Sequence, residues 1–389
     1  MEKRRLLYVT FDVVPSPKGA STHIISFLEA LKMFSEDVTL LTLGSKPGIE
    51  EALLGGVRHL RVGFEEPHLF KRIELFRCYL DSHLKKGFYD VVHFRSIWEG
   101  LTVLRLKAEL GYKTLYEVNG LPSIELKYHY PNLASQAALI EKLKRTEVWA
   151  LRQSDCIITP SGVTAELIKS ASVEESRIHI IPNGVDISVF YPEERARSSP
   201  TLSLLYTGTM APWQGIGTLI AAMMIIKKDL HVHLVILGSG KKQWNRECRK
   251  LIEKAQLEKQ ITRLPSVPHK EVAGYIRKAD ICIAPLALCD RNTIQGCSPI
   301  KIFEYMACRK AVVASRIAAV EEILTHRLDS LLFTADDPES LAEAVLTAWH
   351  DRSLRFQLEE KAYQKVISHY CWNHARAKLL EVYREVMSA

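Results

Sequence analysis

The chain has 389 residues, is 47% hydrophobic and 25% charged, and carries a formal net charge of +7 at neutral pH. This length and composition predict a globular protein of two or three domains, and they exclude fibrous, disordered and miniature disulfide-rich proteins. The mildly basic balance suits anionic small molecules, a membrane surface or nucleic acid, and it does not rank them.

Short β-branched runs alternate with longer amphipathic segments through the first half of the chain, which predicts a parallel sheet covered by helices. Strands are predicted at 6–13, 38–43, 91–94, 114–118, 156–159 and 178–181. Helices are predicted at 20–34, 68–86, 133–152 and 162–170. These elements together predict one α/β domain.

The second half repeats the same rhythm and predicts a second α/β domain. Its strands are predicted at 202–207, 232–237, 281–284 and 311–314, and its helices at 215–227, 242–255, 269–278 and 300–308. Between the halves, residues 185–200 are polar and proline-punctuated, which is typical of an interdomain linker. We therefore expect two facing domains, at 1–190 and 191–371, with ligands bound in the cleft at the carboxyl ends of the strands.

Cysteine usage and the N-terminus predict a cytoplasmic protein. The eight cysteines contain no C-x-x-C pair, which favours reduced thiols over a disulfide framework or a zinc finger. Residues 1–5 lead directly into a predicted strand and do not resemble a signal peptide. The longest apolar stretch, at 219–226, is far shorter than the roughly 20 residues that span a bilayer.

Glycines follow several predicted strands at positions where a phosphate could bind. Gly19 opens a helix after the first strand, Gly208 and Gly215 flank the turn after 202–207, and Gly238 follows 232–237. A glycine lets the backbone approach a ligand, and the free N–H groups of a helix start attract anions. Any one of these glycines fits an ordinary tight turn, but together they predict a phosphorylated ligand.

A helix predicted after Ser298 carries the strongest chemical signal. Ser298 is suited to the N-cap and Pro299 to the first helical position, which places Lys301 in the first turn and Glu304 one turn later. The helix macrodipole disfavours a cation there by about 0.3–1 kcal/mol, so Lys301 indicates a bound anion. The Glu304 carboxylate could accept hydrogen bonds from the hydroxyl groups of a ribose. The alternative is a local Lys301–Glu304 surface pair.

Other catalytic classes find little support in the sequence. Asp336 and Asp337 precede a predicted helix at 339–349 and are more simply its cap than a metal site. His369 and His374 lack the glutamate of a metalloprotease helix, and no Gly-x-Ser-x-Gly hydrolase motif occurs. We therefore expect no metal site.

At the level of motifs, the chain resembles the retaining nucleotide-sugar glycosyltransferases of family 4, which have the GT-B architecture. The resemblance is strongest in Ile-Pro-Asn-Gly-Val-Asp at 181–186 and in Pro-Ile-Lys-Ile-Phe-Glu-Tyr-Met-Ala at 299–307. Further matching segments lie at 18–23, 206–215, 238–240 and 372–387, in the family's order. The resemblance implies an α/β GT-B fold of two facing Rossmann-like domains with parallel sheets and an interdomain cleft.

The same resemblance implies a function in glycan biosynthesis. The first domain would bind the acceptor, and helix 372–389 would pack back on it. The second domain would bind a nucleoside diphosphate sugar, which is a substrate, so no cofactor is expected. The implied donor-binding residues are Gly19, Gly208, Thr209, Gln214, Gly215, Gly238, Val267, Ser298, Pro299, Ile300, Lys301 and Glu304.

Within this set the resemblance gives individual roles. Glu304 matches the acid that holds the donor ribose, and Val267 lies in the loop that contacts the base. Gly19 and Gly215 match backbone positions near the diphosphate. In the first domain, Asn119 stands where relatives often have a catalytic histidine, and Arg95 occupies a neighbouring position. Asn119, Arg95 and Lys301 are therefore the predicted catalytic residues.

Three positions depart from the family pattern. Met210 and Gln214 replace the usual arginine and lysine, and Gly296 replaces the first acid of the E-x7-E pattern. Lys301, helped by Arg291, would then carry more of the charge stabilisation of the leaving diphosphate. The departures keep two alternatives open, a GT-B sugar-nucleotide epimerase and an inactive nucleotide-sugar-binding protein. An NAD-dependent oxidoreductase ranks last, because Gln243 replaces the third glycine of its motif.

The acceptor is predicted to be a glycan, a lipid-linked molecule or a small molecule, and nucleic acid is not expected. Basic residues on the predicted helices of the first domain are typical of a solvated face, but they also suit peripheral contact with the inner face of a membrane. The segment 121–131 is aromatic and proline-bounded, and it is predicted either to line the acceptor pocket or to be a packed loop.

Overall fold

The computed structural model describes residues 4–16, 18–193 and 200–388 and divides the chain into two compact units. The first unit comprises residues 1–182 and 373–389, and the second comprises 183–372. The N-terminal start on which the signal-peptide prediction rests lies partly outside the described residues, as do positions 194–199 of the predicted linker. Within that linker, Val185 and Phe190 are buried in the core of the second unit.

The first unit contains an eight-stranded sheet in the order β3-β4-β2-β1-β5-β6-β7-β8. Its strands are β1 (Arg5–Val13), β2 (Asp37–Leu43), β3 (Gly48–Leu54), β4 (Val57–Gly63), β5 (Val91–Phe94), β6 (Lys113–Glu117), β7 (Cys156–Thr159) and β8 (Ile178–Ile180). Its helices are α1 (Gly19–Phe34), α2 (Leu69–Lys86), α3 (Ile97–Leu110), α4 (Pro122–His129), α5 (Pro131–Ala134), α6 (Ala137–Gln153) and α7 (Gly162–Ser170). All pairings are parallel except that between β3 and β4.

The second unit contains a six-stranded parallel sheet in the order β11-β10-β9-β12-β13-β14. Its strands are β9 (Leu202–Thr207), β10 (Val232–Leu237), β11 (Ile261–Leu264), β12 (Ile281–Ala284), β13 (Ala311–Arg316) and β14 (Leu331–Thr334). Its helices are α8 (Ile216–Asp229), α9 (Lys242–Lys254), α10 (His269–Lys278), α11 (Asp290–Thr293), α12 (Ile300–Ala307), α13 (Ala318–Glu321), α14 (Pro338–His350) and α15 (Arg352–His369).

Apolar side chains are buried on both faces of the second sheet. Leu204 and Tyr206 face one core together with α8 and α14, whereas Leu205 faces the other core together with α12 and α15. Alternation along β9 therefore serves two hydrophobic layers, as expected of a parallel sheet covered by helices. The Asp337 side chain accepts hydrogen bonds from the backbone N–H groups of Glu339 and Ser340, so the predicted cap of this helix is confirmed.

The last helix, α16 (Trp372–Ser388), returns to the first unit from residue 373 onward. Tyr383 is fully buried there, and its hydroxyl lies 2.9 Å from His93 Nδ1 on β5. Arg376 Nε donates to the backbone oxygen of Ser26 on α1 at 3.2 Å. The end of the chain is thus part of the core of the first unit. None of the described helices is long and apolar enough to cross a bilayer.

Several elements were missed by the sequence prediction. Strand β3 is exposed along most of its length, so it shows no apolar face, and its partner β4 carries charged residues between its buried positions. Strands β11 and β14 were also missed, although β5, β7 and β12, which have the same length of four residues, were predicted. The segment 121–131 contains helix α4, so describing it as a loop was wrong. Helix 133–152 is divided into α5 and α6.

Gly215 is a position where the fold requires glycine, and substitution should be costly. Its φ is +65°, and an added Cβ would lie 1.7 Å from the backbone oxygen of Pro285. We expect Gly215→Ala to lower the free energy of unfolding by at least about 2 kcal/mol, measured by urea denaturation. Gly274→Ala is the matched control, because it lies in α10 with no atom near its added Cβ. A Gly215→Ala variant as stable as this control would contradict the prediction.

Candidate functional site

The carboxyl ends of β9 and β10 come into close backbone contact in the second unit. The N–H of Gly208 donates to the oxygen of Leu237 at 3.0 Å, and a Cβ on Gly238 would lie 2.0 Å from the oxygen of Gly208. Both glycines have positive φ values, +131° and +143°. This edge of the sheet therefore carries no side chain of its own at the two strand ends.

Lys301 lies beside this glycine edge. Its Nζ donates to Gln214 Oε1 at 2.6 Å and lies 4.0 Å from the centre of the Tyr206 ring. A Cβ on Gly208 would lie 2.9 Å from the same Nζ. Burial lowers the pKa of Lys301 to about 7, although the negative charge of Glu304 partly opposes this shift. The ammonium group is thus held in a partly buried position by a neutral side chain.

The start of α12 differs from the predicted capping. The helix begins at Ile300, Pro299 occupies the N-cap position, and no side chain caps it. Ser298 Oγ instead accepts a hydrogen bond from the backbone N–H of Asn183 at 3.0 Å, and Asn183 Nδ2 donates one to the backbone oxygen of Ser298 at 2.7 Å. The prediction that Ser298 is the N-cap was therefore wrong, because Ser298 joins α12 to the segment that begins the second unit.

Glu304 is buried and is hydrogen-bonded to a histidine that the sequence analysis did not identify. His269 Nε2, on the first residue of α10, lies 2.6 Å from Glu304 Oε1. Burial acts to lower the pKa of His269, but the hydrogen bond and charge of Glu304 outweigh it and raise this pKa above its usual value. The local Lys301–Glu304 surface pair is not formed, since each side chain has a different partner.

The turn that contains Gly215 is held from the opposite side by α11. Asn292 Nδ2 donates to the backbone oxygens of Trp213 and Ala287, at 2.8 and 2.9 Å. The Arg291 guanidinium lies 5.0 Å from the centre of the Trp213 ring, within cation–π distance. Arg291 was predicted to help Lys301. It stacks on Trp213, the residue that precedes Gln214 in the same turn.

Met210 occupies the position where the resemblance implies an arginine, and a cation approaches it from another strand. Arg263 Nη2, on β11, lies 3.7 Å from Met210 Sδ. Among the described residues, Arg263 Nε is buried without a hydrogen-bond partner. Val267, in the loop after β11, packs partly buried against the core. Arg263 could not be identified from the sequence, because only the sheet order brings β11 beside this loop.

In the first unit, the predicted residues Arg95 and Asn119 meet at a buried carboxylate, Glu117. Arg95 Nε donates to Glu117 Oε1 at 2.8 Å, and Asn119 Nδ2 donates to the same oxygen. His23 Nε2, from α1, lies 2.8 Å from Oε1. The other oxygen accepts the Tyr8 hydroxyl at 2.5 Å and lies 3.1 Å from His93 Nε2. We call these six side chains the Glu117 cluster.

Electrostatics keep the centre of the Glu117 cluster ionised. Burial opposes the charge of Glu117, but Arg95, His23 and His93 outweigh it and hold the pKa of Glu117 well below its usual range. Burial is the main factor that lowers the pKa of His93, and it also raises the pKa of Tyr8, which is further increased by Glu117. The arrangement is therefore a fixed negative charge surrounded by donors.

The predicted site residues fall into two groups, one in each unit. The second unit brings together Gly208, Thr209, Gln214, Gly215, Gly238, Ser298, Pro299, Ile300, Lys301 and Glu304 around the ends of β9 and β10 and the start of α12. The first unit contains Arg95 and Asn119, with Gly19 as the first residue of α1. Glu117 was missed, although a glutamate between the apolar Tyr116 and Val118 was a visible signal. No described group of three His, Cys, Asp or Glu residues could hold a metal ion.

Comparison with known proteins agrees with this architecture. The model of Glycosyltransferase Family 4 matches residues 17–189, and that of Glycosyl transferases group 1 matches residues 201–351. A D-inositol 3-phosphate glycosyltransferase from Pseudarthrobacter chlorophenolicus is 26% identical over 76% of this chain and 71% of its own.

Two solved structures show the same fold. Sucrose-phosphate synthase from Thermosynechococcus elongatus superposes with a TM-score of 0.83 at 19% identity and covers 99% of this chain and 100% of its own. HepE from Anabaena, in complex with UDP and glucose, gives 0.77 at 15% identity and covers 98% of this chain and 99% of its own. The two parallel-sheet units thus have the GT-B fold, and the protein is a glycosyltransferase. More particularly, its first half matches the Family 4 model and the larger part of its second half matches the group 1 model.

The contact between His269 and Glu304 should make stability depend on pH. Because the folded pKa of His269 is raised, its stabilisation is complete below about pH 6.5 and is lost as the pH rises through the folded pKa. We expect His269→Gln to lower the urea midpoint at about pH 6 and to approach the wild type at a pH above the raised folded pKa of His269. The effect should be small, since 41% of the His269 side chain is exposed. His231→Gln, at an exposed loop histidine, is the control, and a pH-independent difference would contradict the assignment.

Proposed function

We propose that this glycosyltransferase transfers a sugar from a nucleoside diphosphate sugar to a hydroxyl acceptor, with retention of configuration and without a metal ion. Retention is proposed from the Family 4 match of residues 17–189. The alternatives considered from the sequence, an epimerase and an inactive binding protein, are not favoured by the comparisons, whose relatives are described as glycosyltransferases and synthases.

The observation that carries the donor assignment is the environment of Lys301. Its ammonium group is partly buried, and its hydrogen-bond acceptor in the described structure is the neutral amide of Gln214. It also lies in the first turn of α12, where unpaired N–H groups and the macrodipole favour an anion. A desolvated cation at a helix start, beside a strand end without side chains, is suited to a diphosphate.

This placement supports a role for Lys301 in the chemical step. As the glycosidic bond breaks, the diphosphate leaving group gains negative charge, and a fixed ammonium group stabilises it most at that moment. Glu304 uses Oε1 for His269, which leaves Oε2 to accept hydrogen bonds from ribose hydroxyls. Val267 lies in the loop proposed for the base. Asn119 and Arg95 are proposed to act on the acceptor side, in the first unit.

The acceptor and cellular site are proposed only at the level of chemistry. A hydroxyl group of a glycan, a lipid-linked molecule or a small molecule would be the nucleophile. Lys71 and Lys142 are examples of exposed basic residues on α2 and α6, which support peripheral contact with an anionic membrane. The HepE structures were solved with UDP and with UDP-glucose, which makes uridine nucleotides the first donors to examine.

The donor proposal predicts stabilisation by one nucleoside diphosphate and its loss without Lys301. Thermal unfolding with UDP, GDP, ADP, CDP and NAD should identify one diphosphate that adds about 2.7 kcal/mol at about 100 Kd. Lys301→Met should lose most of this response, because the cation is removed without removing the apolar stem. Lys254→Met, at an exposed position on α9, should keep it. A full response from Lys301→Met would place the diphosphate elsewhere.

The lowered pKa of Lys301 predicts that donor binding takes up a proton. A bound diphosphate would raise the pKa of Lys301 from about 7, so binding near pH 7 should take up about half a proton and near pH 8 close to one. Affinity should accordingly fall by up to about tenfold per pH unit above about pH 7. Calorimetry with UDP-glucose, or the nucleotide sugar selected above, in buffers of different ionisation enthalpy measures this uptake. Proton uptake that persists in Lys301→Gln would exclude this lysine as its source.

A further inference from the structure

The Glu117 cluster determines how the amide of Asn119 is oriented. Glu117 is 2% exposed, and an ionised carboxylate can only accept hydrogen bonds. Asn119 can therefore contact Glu117 Oε1 only through Nδ2, as the structure shows. The oxygen and nitrogen of a planar amide diverge from their common carbon, so Asn119 Oδ1 does not share the contact that Nδ2 makes with the buried carboxylate. Asn119 itself is partly exposed, which makes this oxygen available at the end of β6.

A second oxygen acceptor lies at the same edge of the sheet, at the end of β1. Asp12 accepts the hydroxyl of Thr10 at 2.9 Å and Arg95 Nη1 at 2.6 Å, both through Oδ2. Its side chain is 46% exposed, so the other oxygen faces solvent. One guanidinium thus connects the two carboxylates, because Arg95 Nε contacts the same oxygen of Glu117 as Asn119 does. Asp12 and Asn119 are therefore linked through Arg95 and Glu117 at the carboxyl edge of the first sheet, although β5 lies between their strands.

The charge balance indicates what this edge can bind. Asp12 and Glu117 carry two negative charges, Arg95 supplies a positive charge between them, and His23 also contacts Glu117. Two of the three guanidinium nitrogens of Arg95 are already engaged by carboxylates, so this arginine is not arranged to receive a phosphate. The oxygens that remain on Asp12 and Asn119 are hydrogen-bond acceptors, which suit hydroxyl groups because these can donate.

We propose that Glu117 is a positioning residue that turns Asn119 into a hydrogen-bond acceptor, so that Asn119 Oδ1 and Asp12 bind the attacking hydroxyl group and its neighbours on an uncharged, hydroxyl-rich acceptor. This inference rests on the proposed function and assigns a chemical class to the acceptor side. A histidine at position 119 would accept or donate a hydrogen bond according to its protonation, which depends on pH. In Asn119 the buried charge of Glu117 decides which amide atom is left as the acceptor. Water would occupy the same place when no acceptor is present.

The direct test is the hydrogen bond of the Asn119 side chain. Protein labelled with 15N at the asparagine side chains would give one amide pair that is lost in Asn119→Asp and that exchanges with solvent at least about tenfold more slowly than an exposed amide. Asn132, which is exposed, is the internal control. Exchange of Asn119 at the rate of Asn132 would overturn the proposal, whatever the nucleotide experiments show.

The functional test exchanges the two ends of the hydrogen bond. In Asn119→Asp, two carboxylates face each other, and hydrolysis of the selected nucleotide sugar by water should fall at least about tenfold in kcat with an unchanged KM for the donor. In the double variant Glu117→Gln with Asn119→Asp, the amide introduced at position 117 can donate to the carboxylate introduced at position 119. This exchange keeps an oxygen outward and the cluster charge unchanged, but the introduced NH2 group also faces the Arg95 Nε donor, so recovery is partial. We expect the kcat of the double variant to exceed that of Asn119→Asp by at least about threefold.

The single variant Glu117→Gln tests whether the orientation of the Asn119 amide, and not the integrity of the fold, determines kcat. The amide introduced at position 117 can still pair with that of Asn119, but Asn119 is then free to turn Nδ2 outward, so kcat should fall while the nucleotide-induced thermal shift remains.

Asp12→Asn, at a half-exposed side chain, should also lower kcat without a loss of the thermal shift, and it does not depend on folding of the Glu117 variants. Wild-type kcat in Asn119→Asp, or no recovery in a folded double variant, would overturn the proposal. Loss of the thermal shift in the wild type would instead contradict the proposed donor.

Discussion

The contact that organises the second unit is the approach of Lys301 Nζ to the glycine edge formed by Gly208 and Gly238. A Cβ on Gly238 would collide with the backbone oxygen of Gly208, and a Cβ on Gly208 would occupy the space beside Lys301 Nζ, so both positions require glycine. The ammonium group enters this space from α12, supported by Gln214 and the face of Tyr206. Since its acceptor there is neutral, the free energy of desolvating this cation is best offset by an anionic ligand.

The two units use buried charge in opposite ways. In the second unit the amino group of Lys301 is held by a neutral amide, and its pKa is lowered to about 7, so it can gain a proton when an anionic ligand binds. In the first unit a carboxylate is surrounded by donors, and its pKa is lowered as well, which makes its charge permanent. The first arrangement is suited to binding an anion, and the second to holding neighbouring side chains in one orientation. A buried carboxylate of this kind is valuable for specificity of orientation more than for stability.

The departures from the family pattern acquire a physical context in the structure. Gln214, which replaces a lysine, accepts a hydrogen bond from Lys301, so a cation remains at the same turn although it comes from α12. Near Met210, which replaces an arginine, Arg263 approaches from β11. In both places the positive charge comes from a different secondary-structure element than the motif implies, the helix α12 for Lys301 and the strand β11 for Arg263. Although the motif lacks its arginine and its lysine, a positively charged side chain therefore still lies near each of the two positions, Met210 and Gln214.

Local patterns in the sequence determined the class of fold and much of the donor side. Alternating apolar runs are sufficient to predict parallel strands and covering helices, and Gly208, Gly238, Lys301 and Glu304 stand out because glycine, a helix start and a charge each have a local meaning. The edge strand β3 was missed because it buries no face. The partners were decided by tertiary structure: Gln214 for Lys301, His269 for Glu304 and Asn183 for Ser298. Glu117 is contacted by side chains from β1, α1 and β5 and from the segments that follow β5 and β6. His93 is in turn hydrogen-bonded to Tyr383, 290 positions away. Such contacts depend on strand order and burial, which no local pattern of residues contains.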